Sequence, residues 1–336
     1  MKTLQKDLTT GNPGKIIFNF TLPIFIGNVF QQFYSMADTI IVGKFVGTKA
    51  LAAVGSTGTI MFLINGFILG MTAGFTVLTA QKFGAGDMKA MRKTVGNAAI
   101  LAIIMSLIMT VLGMMAMKPL LGIMKTPDDI FKDAYAYIMV ICGGIAAQML
   151  YNFLSSVLRA LGNSKVPLYF LILAALLNIV LDMVFIIAFH MGAAGAAWAT
   201  VLGQIASLVL AAVFHFRLNR ELPFRRKALR LRRSIVGEIY SIGVPAIIAQ
   251  GAMSVMNYCV NLIFGSLDSS YVTAYGIVYK IQQFVLFAAF GLRDAITPIV
   301  SFSYGMQNAK RIREGVRCGL MYTSVLMLVC TAAVEI

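Results

Sequence analysis

Two acidic residues stand where hydrocarbon is expected. Asp182 closes the segment LLNIVLD (176–182), inside a run over 166–189 whose other polar members are Tyr169 and Asn178. Asp38 stands near the end of the first long apolar run. A bare carboxylate in lipid is costly, so it normally faces a bundle interior or a watery cavity. Asn178 precedes Asp182 by four residues, which puts both on one face of a helix. Two readings follow. The patch can be structural, hydrogen-bonding a neighbouring helix, or it can be a protonatable site in a transport path. In the second reading the chemistry is a switch. Desolvation favours the protonated form of a carboxylic acid, and two carboxylates in one site resist being charged together. The charged pair would draw in water or a cation; the neutral pair would tolerate a collapsed, dry cavity.

The elements that must position these groups are helices. Hydrophobic residues make up 59% of the 336 and charged residues 12%. Several uncharged runs exceed the roughly 20 residues that span a bilayer. Lipid offers no partner to an open sheet edge, so spans of this kind are helical. Nine are expected, at 16–40, 50–81, 94–117, 133–157, 166–189, 192–216, 235–266, 270–305 and 315–336. The fold class expected is an all-α polytopic membrane protein.

The net charge of +15 does not mark a nucleic-acid binder, because the basic residues cluster in short segments between spans. With the N-terminus placed inside, twenty-one Lys and Arg fall in inner segments and five in outer ones. That asymmetry predicts a cytoplasmic N-terminus. The segment from Arg217 to Arg233 holds eight of them, with Pro223, and reads as a cytoplasmic linker near anionic headgroups.

An internal repeat runs across that linker. Pro23 and Pro245 are 222 apart; thereafter Ala53, Gly55, Gly70, Gly84, Arg92 and Val95 meet Ala274, Gly276, Gly291, Gly305, Arg313 and Val316 at an offset of 221. Six spans separate the copies, an even number, so both have the same topology and are related by an axis along the membrane normal. The expected layout is a six-span lobe over 1–216, a linker over 217–234 and a partial three-span lobe over 235–336. These are two pseudo-symmetric bundles, the second incomplete, since a six-span unit beginning near Ser234 would run past residue 336.

Depth along the spans ties five polar residues together. Asp182 lies seventeen residues past Lys165, roughly 25 Å at 1.5 Å per residue, in the outer half of the membrane. Asp38 is near the outer end of the first span, beyond a bend or tilt expected at Pro23. Tyr137 is near the outer end of the fourth span, and Thr200 lies about 12 Å into the sixth. Asp38, Tyr137, Asn178, Asp182 and Thr200 can therefore line one cavity in the first lobe. By the repeat Asp38 maps onto Val260 or Cys259, so its carboxylate is absent from the second copy. An architectural residue would more naturally recur in both.

Gln31, Gln32 and Tyr34 on the first span, Asn152 on the fourth, and Gln250, Asn257 and Asn261 on the seventh are candidates for a substrate cavity. Interhelical hydrogen bonding is the alternative for each. Arg293 and Asp294 can neutralise one another, or Asp294 can pair with Lys280. Gly66, Gly70 and Gly74 read as a close helix contact. Enzyme signals are absent: there is no phosphate-cradling Gly-rich loop, and His190, His215 and the four cysteines have no metal-ligand spacing. Neither a cofactor nor a structural metal is expected.

Pro23 with Gln31, Tyr34 and Asp38, then VGKFVGTKALAAVG (42–55) and AQKFGAGD (80–87), resembles the opening of a multidrug and toxic compound extrusion (MATE) transporter. SSVLRALGNSKVP (155–167), NIVLD (178–182) and RDAITP (293–298) extend the resemblance over essentially the whole chain. It implies two six-helix lobes around a central cavity and antiport of organic, mostly cationic compounds against protons or sodium. The DinF-like branch implies that Asp38 and Asp182 couple the ion, with Asn178, Tyr137 and Thr200. The family has twelve spans, so the chain is expected to be truncated after about nine. The implied partners are small organic cations and the lipid bilayer, not nucleic acid, with the protein a monomer in a bacterial or archaeal cytoplasmic membrane. The alternatives are an exporter of a lipid-linked precursor and an inactive truncated remnant. A lipid-headgroup carrier should place several Arg or Lys in its cavity. Apart from Arg317 at the start of the ninth span, the bases within spans are Lys280 and Arg293, which favours drugs.

Overall fold

The computed structural model describes residues 13–124, 126–217, 229–267 and 269–335. Side chains at 254, 257, 258, 261, 262, 333–335 and most of 265–288 lie outside the description. Asn257, Asn261 and Lys280 are among these, and most of the basic linker, 218–228, also lies outside it.

The described chain is a succession of helices. They are α1 (Pro13–Phe45), α2 (Thr48–Ser56), α3 (Gly58–Gly84), α4 (Met88–Ile123), α5 (Asp128–Ala160), α6 (Lys165–Met183), α7 (Gly192–Arg217), α8 (Arg233–Leu267), α9 (Ser269–Gly305) and α10 (Ala309–Glu335). Among the described residues, eight of these are long and apolar enough to cross a membrane. The expected span over 270–305 corresponds to α9. The expected span over 50–81 is divided: α2 stops at Ser56 and α3 restarts at Gly58. The break falls in GSTG (55–58), where Ser56 Oγ donates to the Ala53 carbonyl at 2.7 Å and Thr57 Oγ1 to that of Val54 at 2.7 Å. Hydroxyls that bond their own backbone compete with helix propagation, and the flanking glycines do not oppose the bend.

The main core lies between α3, α4, α5 and α7. Phe75 and Phe153 meet edge to face with centroids 5.8 Å apart, among Ile68, Met71, Met91 and Ile145, all buried. The opening of α7, GAAGAAWA, is mostly small and buried, which lets α5 come close. A β-carbon at Gly144 of α5 would collide with Val201 of α7.

The two bundles meet along α3. A β-carbon at Gly66 would lie 3.1 Å from Gln250 Cβ, one at Gly70 2.7 Å from the Ile247 nitrogen, and one at Gly74 2.7 Å from the Ile239 oxygen. All three partners are on α8, so the glycine series expected as a close contact is one. The repeat is visible in this packing. Gly291, the counterpart of Gly70, meets Asn28 and Phe25, the counterparts of Gln250 and Ile247. Gly84 packs on the Phe302 carbonyl and Gly305 on the Gln81 carbonyl, and 302 is the counterpart of 81. The turns that follow also correspond. Gly86 (φ 70°) precedes Asp87, whose side chain accepts from the Ala90 nitrogen at 2.8 Å. Gln307 (φ 55°) precedes Asn308, which accepts from the Arg311 nitrogen at 3.0 Å. Lys82 on α3 pairs with Glu238 on α8 at 3.3 Å, with both side chains partly exposed. Arg232, entering α8, donates its backbone N–H to the buried Asn97 of α4 at 2.6 Å.

These contacts set the sign of two glycine substitutions. Gly84→Ala forces α3 and α9 apart and should destabilise the protein by about 1–3 kcal/mol. Gly143, with no neighbour within 4 Å, should accept alanine with a gain of roughly 0.5–1 kcal/mol. Thermal unfolding in detergent should show the two midpoints moving in opposite directions.

Candidate ion site and substrate cavities

A cavity of about 100 Å³ opens among α1, α5, α6 and α7. Its floor is apolar and made of small residues, Ala174, Ala175 and Gly203. A β-carbon at Gly203 would lie 3.3 Å from the Ala174 oxygen, so α6 and α7 touch nearly backbone to backbone there. Polar groups line the remainder: Gln31 and Tyr34 from α1, Asn152 from α5, Asn178 from α6 and Thr200 from α7.

The two carboxylates lie one helical turn beyond that lining, Asp38 past Tyr34 and Asp182 past Asn178. Asp182 is fully buried, Asn178 is 3% exposed and Tyr137 6%. Asp38 is half-buried. The Asp38 charge is close enough to act on Asp182, and both act on the phenols of Tyr137 and Tyr34. Asn178 Nδ2 donates to Thr200 Oγ1 at 3.4 Å. The five candidates thus converge from four helices, with one correction. Only Asn178 and Thr200 face the cavity; Asp38, Tyr137 and Asp182 form a buried knot at its end. Depth along a helix gives height but not azimuth, and one turn of height separates the knot from the lining.

The acceptors of the knot are unmatched. Both oxygens of Asp182, Oδ1 of Asp38 and Oδ1 of Asn178 are buried without a hydrogen-bond partner. Four orphaned acceptors converging in one place call for a cation or a proton, because each unpaired buried oxygen costs about 1–3 kcal/mol, more for a charged group. The chain beyond Asp182 leaves the α-helical ladder for a π-helical turn, Val184–Ala188. Such turns recur at functional sites.

The substrate candidates divide. Gln31, Tyr34 and Asn152 line the cavity, and Asn152 also donates to the Gln148 carbonyl at 2.9 Å. Gln32 is half-buried on another face of α1. Gln250 lines a different cleft. Asn257 and Asn261 lie outside the described side chains. The sequence reading missed Gln148, Tyr151, Gln204 and Ser207, which complete the lining. Gln148 also donates to Asn65 Oδ1 at 2.6 Å, tying α5 to α3. Their signal was present: 148, 151 and 152 on α5, and 200, 204 and 207 on α7, are polar at helical spacing inside apolar spans.

The second cleft, about 170 Å³, lies between the bundles among α3, α5, α8 and α9. It holds Arg159, Gln250, Arg293 and Asp294. Arg293 Nη2 pairs with Asp294 Oδ1 at 3.0 Å, one of the two pairings expected. Arg159 corrects an expectation. Lys280 and Arg293 were expected to be the bases within spans, but α5 continues to Ala160 and Arg159 lines the cleft. Arginine in this space is therefore not confined to α9.

The MatE sequence family matches residues 23–184 and 245–336. The probable multidrug resistance protein YpnP of Bacillus subtilis is 32% identical over 313 residues, covering 91% of this chain and 68% of that protein. The multidrug export protein MepA of Staphylococcus aureus is 21% identical over 322 residues, 95% of this chain and 71% of that one. In structure, a MOP superfamily transporter from Pyrococcus furiosus superposes with a TM-score of 0.93 at 24% identity, over 99% of this chain and 73% of that chain. That likeness establishes the fold. These relatives are transporters, not enzymes. With two matched segments on either side of the linker and a close relative aligned over most of its length, this multi-pass membrane protein belongs to the MatE family of membrane transporters.

Proposed function

We propose that the protein is a secondary active multidrug exporter. It moves small organic, mostly cationic compounds outward in exchange for protons or sodium. The observation that carries this reading is the knot of orphaned acceptors around Asp182. A proton supplies the missing donors; a sodium ion would be met by the same oxygens. With both carboxylates charged, the knot attracts a positive ligand and water into the adjoining cavity. Once neutralised, it loses that attraction and the cavity can close. Pro23 gives α1 a way to move, since it has no N–H to donate to the Asn19 carbonyl and leaves the helix weakened below Gln31, Tyr34 and Asp38. The names of the two relatives support multidrug export. The two first-bundle carboxylates support the DinF-like branch. The charge asymmetry of the segments supports a cytoplasmic N-terminus in the inner membrane of a prokaryote.

Asp38→Asn and Asp182→Asn should each reduce efflux of a lipophilic cation to the level of vesicles without the protein, while expression and detergent monodispersity stay unchanged. Efflux that survives either change would refute the coupling role. In proteoliposomes, a pH gradient and a sodium gradient imposed separately should show that one drives uptake of the same cation and that Asp182→Asn abolishes the response. A transporter driven equally with and without both gradients is not an antiporter of this kind.

A further inference from the structure

The bundles meet tightly at the end that carries the linker. There Gly84 packs on the Phe302 carbonyl, Gly305 on that of Gln81 and Gly74 on that of Ile239. Two flanks close this end. On one, α3 and α4 face the start of α8. On the other, α9 and α10 face the start of α1. The internal repeat exchanges them, because α3 corresponds to α9, α4 to α10 and α8 to α1.

The flanks are equivalent in backbone and opposite in chemistry. On the first, Lys82 Nζ lies 3.3 Å from Glu238 Oε2, and Asn97 Oδ1 accepts from the Arg232 nitrogen at 2.6 Å. On the second, the positions of Lys82 and Glu238 are taken by Ser303 and Ile16, at offsets of 221 and 222. Ser303 is buried and donates its hydroxyl to the Ile299 carbonyl of its own helix at 2.9 Å. Ile17, Phe20 and Ile24 of α1 pack there with Ala295, Ile299 and Phe302 of α9, all buried. Tyr322 adds a hydrogen bond to the Gly14 carbonyl at 3.3 Å. The scaffold therefore closes on this flank with apolar groups where the other has an ion pair, so the pair is not a by-product of the fold.

The pair also stands where motion would be greatest. Lys82 lies sixteen residues, or about 24 Å, along α3 from Gly66, where α3 crosses Gln250 of α8. A rotation of about 10° around that crossing would part this end by roughly 4 Å, enough to break the pair and admit water. Both side chains are partly exposed, 34% and 47%. An ion pair in that setting is weak and screened by salt, so it separates readily. The apolar flank holds by many small attractions at once, which are lost together if it opens.

We propose that Lys82 and Glu238 are a releasable latch and that the apolar flank of α1, α9 and α10 is its hinge. The bundles part at the linker end by opening between α3 and α8, while the hinge flank stays packed. Within the export reading above, on which this rests, that opening admits substrate from the cytoplasm.

The test uses the full chain in lipid nanodiscs. Nitroxide labels are attached through a ketone-bearing unnatural amino acid, so the native cysteines stay in place. One label pair, at Lys89 and Ser234, spans the latch flank; another, at Lys15 and Arg313, spans the hinge flank. Distances are read by double electron–electron resonance. Lys82→Glu and Glu238→Lys should each raise at least threefold the fraction of molecules whose latch flank is opened by about 5 Å or more, the scale set by the lever above. The Lys15–Arg313 distance should move less than half as far. The double variant that combines both changes should return the fraction to within twofold of the wild type, a recovery that misfolding cannot produce. No change in either single variant, no recovery in the double one, or equal opening of both flanks would overturn the proposal. Gradient-driven efflux of a lipophilic cation is measured in parallel. Efflux by the wild type with no recovery in the double variant sinks this inference alone. Recovery of the short distance with no gradient-driven efflux, wild type included, sinks the export reading alone.

Discussion

The arrangement of the molecule depends on backbone meeting backbone between α3 and the second bundle. Helices in lipid gain nothing from hiding apolar side chains, because the surrounding solvent is equally apolar. What holds them is dense packing, and density requires small residues at the crossing. Gly66, Gly70 and Gly74 give α3 a smooth edge against α8, and Gly84 and Gly305 lock α3 and α9 reciprocally. These contacts place the pseudo-twofold axis beside α3 and α9. The cleft between the bundles lies on that axis, which is why equivalent positions of the two helices face it.

Polarity inside such a scaffold is costly wherever it occurs, so its distribution carries information. The first bundle concentrates unsatisfied oxygens around Asp182. The cleft concentrates guanidinium N–H groups and ties its threonine hydroxyls to their own backbone. The first site is incomplete by itself, because its buried oxygens have no donor. A ligand or ion that supplies the missing partner lowers the cost of the site it enters. Binding that one site relieves and emptying that reinstates the cost is the thermodynamic basis for a cycle between loaded and unloaded states.

Much of the fold was legible because membrane physics leaves few options. Long apolar runs must be helices, and the matched prolines and glycines at offsets of 222 and 221 anticipated the reciprocal packing of Gly70 with Ile247 and of Gly291 with Phe25. The break at Thr57 was not anticipated, because nothing in an apolar run announces that two hydroxyls will turn on their own carbonyls. Azimuth was also illegible. Gln31 and Gln32 are neighbours with the same side chain, yet only Gln31 lines the cavity. Gln250 was grouped with the first-span glutamines, but its contact with Gly66 puts it in the other cleft.

The amino-acid sequence by itself determined the helical spans, the repeat and the presence of two carboxylates too deep to be incidental. All of these follow from the cost of putting polar groups in hydrocarbon, which is local to each segment. Only the tertiary structure decided which faces of α1, α5, α6 and α7 meet, leaving Asp182 without a donor. It also decided that Arg159 reaches into the cleft rather than into a loop. Those outcomes depend on how helices distant in the chain rotate and cross, and side-chain volume at each crossing settles that only when all the helices are in place.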